Sequence, residues 1–297
     1  HTTREQLETL YELGFRRISI GVQSFNKRVQ FLINRIQPFE VVKEINDMAR
    51  SIGFTSVNMD ILYGLPQQGV DDALADIDTI AALRPDRIAY YGYAHVPWKA
   101  AGQRRYSEAD LPTTKDRILS AELGREKLLN MGYRPIGMDH FALPQDALSQ
   151  AFESGNLHRN FMGYTEQHTD VLIGLGVSSI SENNLGYRQN ERVVEAYAEI
   201  IEKGDFPIIG GHTYTPQDGY ISTIISNLMC NMESALPAML TDGQWEQLRA
   251  LAGDGLIELS ESKVKIKDHA RMFARSVCAA IDPLARLDSQ VMYGQNL

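Results

Sequence analysis

Cysteine is scarce: the 297 residues contain two, Cys230 and Cys278. They stand far apart and in no CxxC or Cys/His spacing, which argues against a disulfide framework and against a zinc or iron-sulfur site made from them; both are expected as inert core residues. Long apolar runs are lacking as well. No stretch of 18 uncharged apolar residues offers a membrane span, and the chain opens His1-Thr2-Thr3 with neither an initiating Met nor a charged-then-apolar signal segment, so its start reads as a cut. Positive charge is in deficit. With 29 Lys and Arg against 38 Asp and Glu, the formal net charge of -9 argues against nonspecific attraction to nucleic acid or anionic membrane and points to a small-molecule partner in the cytoplasm. No phosphate loop, GxSxG elbow or HExxH helix occurs, and Gly174-Leu175-Gly176-Val177-Ser178-Ser179 lacks the last glycine of a dinucleotide fingerprint.

What is present is a rhythm. Thr2 and Thr3 precede Glu5 and Gln6 by three residues, a capping arrangement, and Leu7, Leu10 and Tyr11 follow at helical spacing. Gly14 ends that helix, and residues 16–23 read as a buried strand. The unit recurs with Val41, Ile45, Met48, Ala49 and Ile52 before a strand from Thr55 to Leu62. It recurs again with Leu74, Ile77 and Ala81 before Arg87 to Tyr93. A looser fourth copy runs from about Lys115 to Leu129 and then Arg134-Pro135-Ile136-Gly137-Met138, where the proline either argues against a strand or places it at an edge. Strands alternating with helices predict parallel pairing, hence an α/β fold, and three or four units make part of an incomplete (β/α) TIM-like barrel. Beyond about residue 212 the spacing predicts helices over 218–232 and 245–251. A hairpin of 256–259 with 264–267 and a helix over 268–280 complete a small, mainly helical, winged-helix-like domain. The boundary is therefore set between 1–211 and 212–297.

In such folds the site lies at the carboxyl ends of the strands, which singles out Gln23, Asp60 and the segment Tyr91 to His95. Asp60 can accept from a ribose hydroxyl, although a helix or loop cap is an equal reading; His95 by itself reads as a structural donor. Asp139 and His140 are adjacent, and on a strand they would face opposite ways, so only a loop would let them cooperate. His158-Arg159-Asn160-Phe161 with Gly163-Tyr164-Thr165 forms a polar and aromatic cluster expected in a loop, where the Arg159 fork suits a carboxylate or a surface ion pair. Lys263, Lys265 and Lys267 alternate on the second hairpin strand and read as a solvated face rather than a DNA-binding wing.

Arg17-Ile18-Ser19-Ile20-Gly21-Val22-Gln23-Ser24-Phe25, Ile52 to Pro66 and Gly137 to Ala142 together resemble the oxygen-independent coproporphyrinogen III oxidase family. The resemblance extends through His158 to Thr165 and Gly174 to Ser181 into the tail. The HRNF-GYT block separates this family from the related haem chaperones, which remain the alternative. Met162 stands where the family usually has Gln, and Glu166 where a second Thr is common. The resemblance implies a radical S-adenosylmethionine enzyme in which two S-adenosylmethionine molecules lie beside a [4Fe-4S] cluster. Two propionates of coproporphyrinogen III become vinyl groups with loss of carbon dioxide, served by an unidentified electron donor and acceptor. Carried over by position, Gln23, Arg35, Asp60 and Ala94 are contacts to one S-adenosylmethionine, Ile180 is a contact to the other, and Arg159 is assigned to a substrate propionate. The family's CxxxCxxC loop is expected ahead of His1, so this chain taken alone is expected to bind no cluster and to be inactive, with no catalytic or metal-ligating residue of its own assigned.

Overall fold

The computed structural model describes residues 2–237 and 240–285. They form two compact units, residues 2–150 with 271–276 and the described parts of 151–270 with 277–285.

In the first unit the chain runs α1 (Arg4–Glu12), β1 (Arg17–Gln23), α2 (Lys27–Leu32), α3 (Phe39–Ile52), β2 (Ser56–Tyr63), α4 (Val70–Leu83) and β3 (Arg87–Gly92). It continues through α5 (Thr114–Asn130), β4 (Arg134–Ile136), β5 (His140–Ala142) and α6 (Ala147–Glu153). Thr3 and Gln6 exchange capping hydrogen bonds at the start of α1, so of the two spacings in the sequence the second is the one used. Gly53, at φ 113, closes α3 in the left-handed region that a side chain would resist.

The sheet order is β1-β2-β3-β5-β4. β1, β2 and β3 are parallel, as the repeat predicts, while β5 runs antiparallel to both β3 and β4. This corrects the expectation of a wholly parallel sheet: β4 keeps the direction of β3 at the edge, where Pro135 is tolerated, but a short hairpin return separates the two. The sheet is mixed, and the strands described do not close into a barrel.

Val57, Met59 and Ile61 of β2 are fully buried with Val42 and Ala49 of α3 and Ile77 and Ile80 of α4, so this sheet face and the helices form one core. The alternate residues Asn58, Asp60 and Leu62 are only half-buried, which leaves a second face lined by polar groups.

Tyr90 of β3 points into the helical layer, where its hydroxyl donates to the Ser120 carbonyl (2.9 Å) beside Gly124 of α5. A Cβ on Gly124 would stand 2.6 Å from that hydroxyl and 2.7 Å from Cζ. Gly124→Ala gains about 1 kcal/mol in helix propensity but forces a buried ring to move, at about 1–3 kcal/mol. Net destabilisation is the expected result in urea unfolding, and a more stable variant would contradict it.

The second unit opens with a hairpin of β6 (His158–Asn160) and β7 (Gly163–Thr165), then β8 (Val171–Leu172), β9 (Ile180–Asn183), β10 (Gly186–Asn190), α7 (Val194–Glu202) and β11 (Ile208–Thr213). The last four strands make an antiparallel sheet ordered β11-β10-β9-β8. Because the glycine-containing stretch 174–179 leads from one strand to another with no helix after it, a dinucleotide-binding βαβ unit is excluded there. The chain goes on through α8 (Pro216–Asn231), β12 (Glu233–Ala235), α9 (Asp242–Gly253), β13 (Ile257–Leu259) and β14 (Lys263–Ile266). A 3₁₀ turn over Asp268–Phe273 leads into α10 (Ala274–Ile281). The expected hairpin is present, and β12 adds a strand beside β14 that its three-residue length concealed. Lys263 and Lys265 face solvent on β14, and Lys263 pairs with Glu233 at 2.9 Å.

Candidate functional site

The polar face of the first unit's sheet carries a cluster at the end of β1. Gly21 pairs with Asp60, and the β1–β2 register then slips between Gly21 and Gln23, a bulge that leaves Gln23 at φ 70. Such a conformation is uncommon for a residue with a side chain, and a bulge re-aims the side chain it carries. Around Gly21 three of the sequence-selected residues meet. Arg35 Nη2 donates to the Gly21 carbonyl (2.7 Å), and a Cβ on Gly21 would lie 2.8 Å from that nitrogen and 2.9 Å from Gln23 Nε2. Asp60, on the next strand, accepts from Asn58 Nδ2 at 2.7 Å and from Ser19 Oγ at 3.3 Å. An exposed guanidinium and a half-buried carboxylate thus share one patch, suited to a ligand that bears both a carboxylate and hydroxyl donors.

Ala94 follows β3 at the carboxyl end of the same sheet, and its carbonyl accepts from Gln103 Nε2 (3.2 Å). His95 joins an aromatic group with Tyr93 and Tyr106, in agreement with its structural reading. Ile180 and Arg159 belong to the second unit. Ile180 begins β9 and is half-buried, with its backbone so close to Gly174 that a Cβ there would meet it. Arg159 is exposed on β6 with its guanidinium 5.6 Å from the Tyr164 ring centre, and Tyr164 donates to the Met229 carbonyl (3.0 Å). The HRNF-GYT segment is therefore a hairpin rather than the expected loop, with Phe161 and Met162 exposed at its tip.

A node missed in the sequence holds the β1 bulge in place. Asp76 of α4 is buried and accepts from Ser24 Oγ (2.6 Å), the Phe25 amide (2.6 Å) and Gln68 Nε2 (3.1 Å). The signal is legible in principle: an acid stands in the same helical stripe as Ala73, Ile77 and Ile80.

Asp139 and His140 are the pair that the sequence allows to cooperate only outside a strand. Asp139 lies in the turn before β5, so the alternation that would separate the two side chains does not apply, and His140 Nδ1 sits 2.7 Å from Asp139 Oδ1. Cys230 and Cys278 are buried, and burial pushes their thiols up to about 11 and about 12. Neither is a ready thiolate.

The family model of the radical SAM superfamily matches residues 1–80. Among solved structures, coproporphyrinogen III oxidase from Escherichia coli, described as a radical SAM enzyme, superposes with a TM-score of 0.88 at 35% identity. That match covers 95% of this chain and 68% of the other. The chain belongs to the oxygen-independent coproporphyrinogen III oxidase family. Curated relatives with that name include one from Pseudomonas aeruginosa, 38% identical over 283 residues, which takes in 92% of this chain and 62% of the relative. Another, from Escherichia coli K12, is 36% identical over 292 residues, with 94% and 64% covered. The chain thus spans less than two thirds of the length of these two relatives.

A family of this kind implies S-adenosylmethionine and a [4Fe-4S] cluster, and the residues here fit the two differently. Asp60, Arg35 and Gln23 offer the acceptor and donors that an adenosyl amino acid requires. Among the described residues no group of three or more His, Cys, Asp or Glu could hold a metal ion, and both cysteines are buried, so these residues do not make a cluster site.

Proposed function

We propose that this chain contributes the adenosyl- and substrate-binding part of an enzyme that oxidatively decarboxylates two propionate side chains of coproporphyrinogen III to vinyl groups, giving protoporphyrinogen IX. Each propionate gives up one hydrogen atom, one electron and carbon dioxide, and a carbon–carbon double bond forms in its place. The electron goes to an acceptor that this chain does not identify. S-adenosylmethionine, when bound, supplies the adenosyl group that takes the hydrogen atom. The chain's own residues bind and orient: Asp60 holds ribose hydroxyls, Arg35 and Gln23 hold the amino-acid end and Ala94 lines the same site. Ile180 contacts a second S-adenosylmethionine, and Arg159 pairs with a propionate. The observation that carries this reading is the convergence of Arg35, Gln23 and Asp60 around Gly21.

We propose too that residues 1–211 are the carboxy-terminal part of an incomplete barrel and that residues 212–297 form a mainly helical, winged-helix-like domain, a reading supported by the order α8, β12, α9, β13, β14. Composition and charge support a cytoplasmic location. With two cysteines, the 297 residues taken alone are proposed to be inactive.

The test is equilibrium binding to the 297-residue chain. S-adenosylhomocysteine should bind, and Asp60→Asn should weaken it about tenfold through loss of hydrogen bonds to a charged acceptor. Arg159→Ala should weaken coproporphyrin III, followed by fluorescence, and leave S-adenosylhomocysteine unaffected. Binding of neither ligand would sink the reading; tight haem binding without coproporphyrin binding would favour a haem-carrying role.

A further inference from the structure

A second polar group shares the sheet face of Asp60. His140 Nδ1 is 2.7 Å from Asp139 Oδ1, and its Nε2 is 3.3 Å from the Tyr91 hydroxyl, with the two rings edge to face at 5.6 Å. The carboxylate next to Nδ1 assigns the proton to that nitrogen. Nε2 is then the acceptor, Tyr91 donates to it, and the phenol oxygen presents its lone pairs as an acceptor. The Asp139 backbone is fixed as well, since its carbonyl accepts from the Tyr90 amide (2.9 Å).

Strand register places this chain of bonds. Gly21 pairs with Asp60, Asp60 with Ala89 and Ala89 with His140, so these four residues form one row across β1, β2, β3 and β5. Because Tyr90 points into the helical layer, Tyr91 lies on the face of Ala89 and Asp60. Neighbouring strands are about 4.8 Å apart, so Asp60 and His140 stand about 10 Å apart across the small Ala89. Read along the row, the side chains offer donors at Gly21, from Arg35 and Gln23, then an acceptor at Asp60, then an acceptor at Tyr91. A ligand that matches has a carboxylate, then hydroxyl donors, then an amine donor. That is the order of amino acid, ribose and adenine in an adenosyl amino acid.

We propose that Tyr91 selects the base of this ligand, its oxygen accepting from the exocyclic amine of adenine, with His140 and Asp139 as positioning residues that hold the phenol proton away from the base. The proposal rests on the reading of Asp60 and Arg35 as an adenosyl site, and it adds a residue that determines specificity. A site built to pair with an N–H discriminates against an analogue that lacks it.

The experiment compares S-adenosylhomocysteine with S-inosylhomocysteine, in which a carbonyl replaces the amine, by calorimetry on the 297-residue chain. The unaltered chain should prefer the adenosyl compound by about tenfold, a preference of the size one hydrogen bond provides. In Tyr91→Phe the preference should narrow to about twofold. His140→Ala should narrow it in the same way, and His140→Gln, which can still offer an acceptor, should restore part of it. If Asp60→Asn weakens both compounds while Tyr91→Phe leaves the preference intact, the proposal fails and the adenosyl site stands. If neither compound binds, or Asp60→Asn changes nothing, the adenosyl reading and the proposal fail together.

Discussion

Asp76→Ala is expected to destabilise the chain by about 3 kcal/mol at pH 4.5 but by only about 1 kcal/mol at pH 7.5, a loss that shrinks as pH rises. Three donors converge on this buried carboxyl, from Ser24, Phe25 and Gln68, and a buried polar group left without its acceptor costs about 1–3 kcal/mol. Burial, the largest influence, raises the carboxyl from 3.8 to about 6, against the opposing pull of those hydrogen bonds. A group raised on folding contributes stability that is complete below its unfolded value near pH 4 and is lost as pH passes through about 6. A rise of this size corresponds to about 3 kcal/mol in all; about 1 kcal/mol of it is already lost at pH 4.5, above the unfolded value, so about 2 kcal/mol separates the two expected values. Urea unfolding at both pH values measures them. Asp76→Asn, which cannot ionise, should remove the same slope between pH 4 and 6 with less damage to packing; a destabilisation that grew with pH would show that the ionised carboxylate is the form the fold prefers.

This node explains why the site is only partly legible in the sequence. Gln23 and Asp60 can be selected because each is a polar residue on a strand that is otherwise apolar on its core side, and periodicity exposes such exceptions. Arg35 cannot be selected by pattern. It lies between α2 and α3, and family resemblance alone points to it; only the register slip at Gly21 shows what it touches. The Asp139–His140 pair depends on whether both residues stand in a strand, which pattern leaves open; Asp139 lies one residue before β5, where alternation no longer applies. The same limit applies to the fold. Three β–α repeats are readable because their core-facing residues recur over six to fourteen residues, whereas β9, β10 and β11 expose side chains on both faces and leave no period to detect. The antiparallel return of β5 rests on three residues, too few for any pattern.

The second large effect is expected where β2, β3 and α6 meet. Asp146 is buried and accepts from Ser56 Oγ (2.8 Å), Arg87 Nε (2.8 Å) and the Leu148 amide (2.7 Å), so one carboxylate joins the start of β2, the start of β3 and the first turn of α6. The Arg87 and Asp146 side chains are 11% and 4% exposed, so solvent screens the pair weakly. Asp146→Ala strips a buried guanidinium of this counter-charge and should cost about 3–5 kcal/mol. Removing both charges is a different matter, because desolvation opposes the attraction between them: Arg87→Met with Asp146→Leu should recover all but about 1–2 kcal/mol of the loss. A double-mutant cycle in urea measures the coupling. Strong coupling with a nearly stable double variant would mean that the pair fixes the register of β2 against β3 more than it adds net stability. A double variant as unstable as Asp146→Ala alone would instead assign the loss to the Ser56 and Leu148 bonds, and the carboxylate would then act mainly as the cap that sets where α6 begins.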